Sequence, residues 1–513
     1  MANLNAQIAL HKFGLGARTG EAELVGTQAQ NWLQTQLTDL SSDLDSYDLP
    51  TSKEGIELFF AFLEAERAER QEDRATISAA SSPKVRLISF FSEIDRIKRQ
   101  QMLIEDDGVR GPSLAKAQNI YLDAKQSNAS KPAEAKSSRE LLEDIVGILY
   151  EDIGVRTTHA VLTPASFREA LVRFWSDHFN VFANKSLLLT SCTGAMEREA
   201  IRPHITGKFS DMLIAVESHP AMLAYLDNWF SVGPDSWAGK QFGLGINENL
   251  AREILELHTL GVGGGYGQDD IIAFANAITG WSIGNPDIQP ENLGEFIFES
   301  LIHQPGPQTF MGKVYLGTGQ DQGIKILEFV ANHANTARFI ASKLARHFHS
   351  DTPPDSLIER LEKAFIDSDG DLLVVSSALV IAPEMWDGSF VKLRNSEEFA
   401  IAALRAFGFD ELTPQQSVFV FNAVAQIPFS HHSPDGWPKT EASWASSSIL
   451  SARINLAELL SGFVGGQPPP VNFAENILGE TLSDHSANSI KGAGPDKVQG
   501  YTLFLMSPEF QRR

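Results

Sequence analysis

The 513-residue chain is 43% hydrophobic and 21% charged, which excludes an intrinsically disordered chain and leaves room for roughly two to four domains of ordinary size. Forty-two Lys and Arg against 65 Asp and Glu give a net charge of −23, and without a sustained basic run such a surface repels phosphate backbones, so nucleic-acid binding is disfavoured. A single cysteine, Cys192, excludes an intramolecular disulfide framework, a Cys-based zinc site and an iron–sulfur cluster held by this chain alone.

The opening MANLNAQIALHKFGLG lacks the basic-then-apolar pattern of a signal peptide, and no apolar stretch reaches the ~18 residues of a membrane span. A soluble chain without a transmembrane segment is expected, cytoplasmic by lack of a signal peptide, with the periplasm left open. Residues 1–105 read as a helical segment packed on the core: Ile56, Phe59, Phe60, Phe62 and Leu63 recur at helical spacing before the charge-dense EAERAERQEDR. Residues 106–138, rich in Gly, Pro, Ser, Ala and Lys, read as a flexible loop or insertion. Residues 139–465 form the main helical core, punctuated by GVGGGYG, WSIGNP and HQPGPQ. Residues 466–513 begin with GGQPPPVN and read as a Pro/Gly-rich tail with a short final helix. The fold class is therefore mainly α: a multi-helix globular protein with long irregular Gly/Pro-rich connections and little or no sheet.

Within the core, FREALVRFWSDHF at 167–179 follows Thr163 and Pro164, a suitable N-cap and first-turn pair. Phe167, Leu171, Phe174, Trp175 and Phe179 recur at helical spacing, and His178 falls on that stripe rather than on the side of Arg173 and Asp177. His178 is thus predicted buried and neutral, available as a base or a ligand. The alternative is a core histidine bonded to a backbone carbonyl.

Further on, NENLAREILELHTLGVGGGYG at 247–267 predicts a helix capped by Asn247 and stopped at Gly261. Leu250, Ala251, Ile254, Leu255 and Leu257 share an apolar arc with His258, while Asn249, Glu253 and Glu256 occupy the neighbouring strip. Glu253, at the border, demands a cationic or donor partner from another segment. At a period of 3.6, Glu253 and His258 point ~140° apart and cannot share an ion, whereas Glu253 and Glu256 could with a histidine such as His178 or His204.

Other candidates are weaker. Asp367, Asp369 and Asp371 imitate the start of a calcium loop without its Gly and Glu in register, and Asp371 reads better as an N-cap. The glycines of 261–267 follow a helix rather than a strand, so they read as a C-cap and turn. His431 and His432 form a loop pair, and Cys192 has no assigned base.

The ordered phrases HKFGLGARTGE, LVRFWSDHFNV, HPAMLAYLDN, NENLAREILELHTLGVGGGYGQDDI, AITGW, HQPGPQTFMGK, ARFIASKLARHF, ALVIAPEMW, SPDGWP and SPEFQRR resemble, over nearly the whole chain, a bacterial family catalogued as domain of unknown function 1800. The resemblance implies no assigned activity, and it implies a partner, since members are often encoded beside a family resembling alkaline phosphatases and sulfatases. Positions matching the family's pattern are His178, Asp227, Asn228, Asn247, Glu248, Asn249, Arg252, Glu253, Glu256 and Trp281. The family often has Phe where this chain has His258, and HDPGPKT where it has HQPGPQT at 303–309.

Two readings follow. In the first, a buried polar cluster forms a metal or small-ligand site: His178, Glu253 and Arg252 as catalytic candidates, Asp227, Asn228, Asn247, Asn249 and Trp281 as ligand-binding candidates, and Glu253, Glu256 and His178 as candidate ligands for a divalent metal. In the second, the protein is a non-catalytic binding or scaffold protein working with the phosphatase- or sulfatase-like neighbour, through its acidic surface and the aromatic segment AYLDNWFSVGPDSW.

Overall fold

A computed structural model describes residues 3–38, 44, 47–69, 136–317, 319–410 and 412–513. Helices dominate the described residues, joined by irregular connections; the strands there form only two short antiparallel pairs, Trp281–Ile283 with Phe296–Phe298 and Gln308–Phe310 with Lys313–Tyr315. The fold is therefore mainly α, as the scarcity of alternating patterns implies. Among the described residues no helix is long and apolar enough to cross a membrane. The expected loop at 106–138 falls almost wholly outside the described residues.

The central element is the 25-residue helix Ser138–Leu162. A capping box opens it, Ser137 accepting from the Glu140 amide while Glu140 accepts from the Ser137 amide. Leu141, Ile145, Val146, Ile148, Leu149, Tyr150, Ile153, Ala160 and Val161 bury more than half of its circumference, as a helix enclosed by others must. Ser52–Glu69, Leu187–Met196 and Pro414–Ala423 pack around it. Its last carbonyls would be orphaned in the interior, and buried Arg405 meets them: Nη1 donates to the oxygens of Ala160, Val161 and Thr163 at 2.8–3.1 Å, while Nη2 holds both carboxylate oxygens of Glu21.

The helix after it spans Ser166–His178. Thr163 lies one turn before and accepts from the Ala165 amide, so the turn it closes precedes the helix rather than capping it. At the other end of the chain, residues expected as a tail with one short helix carry four: Pro470–Leu478, Asp484–Gly492, Lys497–Leu505 and Pro508–Gln511. The prolines that mark its start sit at helix N-termini, where a missing amide costs nothing, and Phe473, Ile477, Phe504 and Phe510 join the main core. Beyond the last helix, Arg394 N donates to Gln511 O and Arg513 N to Lys392 O, 2.9 and 2.8 Å, which lays the final residues against 392–394.

Among the described residues, three turns widen to π geometry, Ile8–Phe13, Glu197–Ile201 and Ile254–His258. The third interrupts the 247–260 helix, whose α-helical part is Asn249–Glu253. Its N-cap is Glu248, without a side-chain cap bond, rather than the expected Asn247, which lies one residue earlier and accepts from the Asn249 amide at 2.9 Å.

Candidate functional site

A cavity of about 280 Å³ opens where several distant stretches of the chain meet. The helix Ser166–His178 supplies Ala170, Arg173, Phe174, Asp177 and His178, residues that share one arc at 100° per residue. The expectation that His178 lies away from Arg173 and Asp177 is thereby corrected, because the arc facing the cavity is wide enough to hold all three. The helix Ala334–Phe348 supplies Phe339, Lys343, Arg346 and His347, again successive turns of one face. Gly14 and Leu15, residues of 392–401 with Arg513, Gln426, Trp444 and residues of the loop Asp435–Lys439 complete the wall.

Asp177 fixes that loop: one carboxylate oxygen accepts from the Trp437 amide at 2.8 Å and the other pairs with Lys439 Nζ. Gly436 makes the approach possible. Its φ is +74°, and a Cβ there would lie 2.3 Å from the Asp177 carbonyl oxygen. Gly261 serves likewise at φ +79°, where a Cβ would meet the Phe339 ring at 2.9 Å.

His178 sits at the inner end, its side chain buried against Trp175 and Phe179. Nε2 faces the His258 carbonyl oxygen at 3.1 Å, so Nε2 carries the proton and donates, and Nδ1 keeps its lone pair. That lone pair accepts from Lys343 Nζ at 2.7 Å. Burial first, and the Lys343 charge second, push His178 well below its ordinary pKa, so the ring is neutral. Lys343 is brought down to about 7, by burial first and by Lys439 second, with Asp177 and Asp435 acting in the opposite direction and Arg346 adding to the drop. Its Nζ also lies 5.3 Å from the centre of the Phe339 ring.

Behind His178 lies a second buried pair: His258 Nδ1 meets Glu217 Oε1 at 2.7 Å, both side chains fully buried. Below Arg173 lies a charge-balanced network. Arg156 bonds Glu197 and Glu397 at 2.7 and 2.5 Å, Arg202 bonds Glu169 and Glu197 at 2.8 and 2.7 Å, and Arg173 reaches Glu397. Burial pulls the Glu169 carboxyl upward, but Arg202, His159 and Arg173 outweigh it and hold it at about 2. Three arginines against three glutamates leave no net charge to offer a ligand, so this network is a scaffold. Apart from Arg173 and Glu397, which belong to that network, the cavity is different: Lys343, Arg346, Lys392, Arg394, Lys439 and Arg513 face Asp177, Glu398 and Asp435, an excess of cations inside a chain of net charge −23.

The residues expected to form one cluster with His178 are dispersed. Arg252 is half-exposed and pairs along its own helix with Glu248 at 2.9 Å and Glu256 at 3.6 Å. Glu253 is half-buried; burial raises its carboxyl, and His258 opposes that rise. The π turn Ile254–His258 does not keep the 3.6 period, because its backbone bonds span five residues rather than four. The ~140° separation read from a 3.6 period is thus corrected. Asn249 is exposed. Asp227 adopts φ +59° and pairs with Lys185 at 3.0 Å, and Asn247 Nδ2 donates to the Asp227 carbonyl at 3.3 Å. Asn228 Nδ2 ties the carbonyls of Ile278 and Trp281, 3.2 Å each, and Trp281 is buried against Gly323. Of all these, only His178 lines the cavity.

No group of three or more His, Cys, Asp or Glu able to hold a metal gathers among the described residues. At His178 both ring nitrogens are already engaged, leaving no lone pair for an ion shared with Glu253 and Glu256. Elsewhere Asp371 caps the helix Leu372–Ile381, accepting from the amides of Leu373 and Val374. Cys192 is buried, its thiol bonded to Leu188 O and pushed up by burial, which makes it inert.

Lys343, Asp435, Lys439, Lys392 and Arg513 belong to the cavity but not to the residues singled out from sequence. For Lys343 a signal exists: it stands three residues after Ile340 and one before Leu344, on the border of the buried stripe Ala337, Ile340, Ala341, Leu344, Phe348.

The architecture and cavity define a mainly helical protein with a cationic pocket between helices. Its sequence matches the family described as protein of unknown function (DUF1800) over residues 8–512, and the chain belongs to that family. No curated protein and no solved structure matches it.

Proposed function

We propose that the cavity binds a small organic anion and that Lys343 and His178 are its working groups. One observation carries this reading: Lys343 presents its amine at the cavity wall bonded to a neutral imidazole, with no carboxylate on it. A half-buried amine with no carboxylate bonded to it is costly to keep charged, and an anionic ligand supplies what is missing. Arg346 and Lys439 extend the positive wall toward the mouth, and Phe174, Phe339 and Trp437 provide apolar faces for the rest of the molecule. With His178 Nδ1 accepting and Lys343 close to neutrality, the pair can take a proton from, or return one to, a bound molecule near pH 7.

The test is calorimetric titration of the full chain with lactate, pyruvate, citrate, phosphate and sulfate at low ionic strength. Binding of at least one, weakened about tenfold or more in Lys343→Met, a loss of at least ~1.4 kcal/mol, is the expected result. Equal affinities in wild type and variant, or no binding to either, refute the reading.

A further inference from the structure

We propose that Lys343 forms an imine with the carbonyl carbon of a small aldehyde or keto acid, whose carboxylate is met by Arg346 and Lys439. This deepens the reading of the cavity as a small-anion site and rests on it.

Imine formation needs an amine with a free lone pair, a proton carrier in contact with it, and a pocket that limits water. Among the described residues the buried lysines are held by carboxylates, Lys12 by Asp387 at 3.4 Å and Lys392 by Asp351 at 2.6 Å. Lys343 is held instead by the acceptor nitrogen of His178 at 2.7 Å. That contact is the geometry of a nucleophile and its base. Phe174, Phe339 and Trp437 line the space around it. With a pKa of about 7, against an ordinary 10.5, the neutral fraction at pH 7 is about a thousandfold larger than for a surface lysine.

The step balances without an oxidant or reductant. The Nζ lone pair attacks the carbonyl carbon, forming the C–N bond as the C=O π pair moves to oxygen. Nζ gives a proton to His178 Nδ1, which returns it to that oxygen and so completes the carbinolamine. A second proton, relayed the same way, lets the hydroxyl leave as water while the nitrogen lone pair closes the C=N bond. Amine plus carbonyl gives imine plus water. His178 ends as it began, Nε2 still donating to the His258 carbonyl.

The experiment incubates the full chain at pH 7 with pyruvate or glyoxylate and sodium cyanoborohydride, then maps the reduced adduct by peptide mass spectrometry. In parallel, lactate, which has the carboxylate but no carbonyl, is titrated by calorimetry. The expected result is one adduct on Lys343, formed at least about tenfold faster than on any other lysine, and absent from Lys343→Arg. Lactate binding with no preferential adduct at Lys343 overturns the imine and leaves the anion site standing. Neither binding nor adduct overturns both. Should Lys343→Arg fail to fold, the adduct position in the wild type decides, and His178→Gln, which keeps the amine, is expected to slow trapping by about tenfold or more.

Discussion

Replacing Lys343 by Met gives the sharpest check on the electrostatics of the cavity. In the folded chain the amine is held near pH 7, whereas unfolded it returns to about 10.5. The groups that face it are His178 and Asp177 from the preceding wall, Arg346 and His347 on its own helix, and Asp435 and Lys439 on the loop. From pH 7 to 10.5 the unfolded chain holds a proton that the folded chain has released, so the stability associated with this site rises with pH. Between pH 7 and 9.5 linkage gives ~3 kcal/mol at 1.36 kcal/mol per pKa unit, which solvent at the cavity mouth trims to roughly 2 kcal/mol. The variant lacks this step. It also loses the bond to His178 Nδ1, about 1–3 kcal/mol, but that loss is the same at both pH values. Guanidinium unfolding of both proteins at pH 7 and 9.5 is the assay, read as the change in their stability difference. Relative to wild type, the variant is expected to lose roughly 2 kcal/mol on going to pH 9.5. Parallel pH profiles would show an ordinary lysine and refute the reasoning.

Other expectations follow from the same contacts. His258→Phe leaves Glu217 buried without its 2.7 Å partner and is expected to cost ~3–5 kcal/mol; adding Glu217→Met should recover most of it, and additive thermal shifts in the double-mutant cycle would contradict the pairing. His178→Ala should cost about 2–4 kcal/mol, because it empties a packed site and frees a buried carbonyl, while Glu253→Ala, half-exposed, should stay within about 1 kcal/mol; equal losses would put Glu253 in the core network. Arg405→Met strands three helix-end carbonyls and Glu21, for an expected loss of ~3–5 kcal/mol, and a stable variant would argue against that capping role. Gly436→Ala forces the Asp435–Lys439 loop off Asp177; the fold should persist while anion binding weakens about tenfold or more, and unchanged affinity would remove the loop from the site.

Much of the helical architecture is legible in the sequence because helical periodicity is local. His178 is readable as buried from Phe167, Leu171, Phe174 and Trp175 alone. Its meaning is not, since its two partners come from positions 258 and 343, and no spacing rule links them. Glu253 and His258 show a second way a local reading goes astray. A steady 3.6 period sets them ~140° apart, and the π turn from Ile254 to His258, which no propensity announces, breaks that period. Arg252, Asn249 and Asp227 look like a site because polar residues crowd there, yet Arg252 and Asn249 are bonded within their own helix and its start, and Asp227 pairs with Lys185, 42 residues away. Lys343 carries one charge on the edge of an apolar stripe, the commonest pattern on any amphipathic helix, and only the cavity distinguishes it.

The walls of the cavity are drawn from Gly14, from the stretch around His178, from Lys343, from Lys392–Glu398 and from Asp435–Lys439. Contacts so far apart in the chain form late, because loop closure must be met before they return any energy. The pocket is thus a product of complete folding: a fragment holding any one of the conspicuous motifs has a helix and no site. A molecule that spans these walls would join early and late segments of the polypeptide, and by mass action it would hold the whole fold together rather than one corner of it.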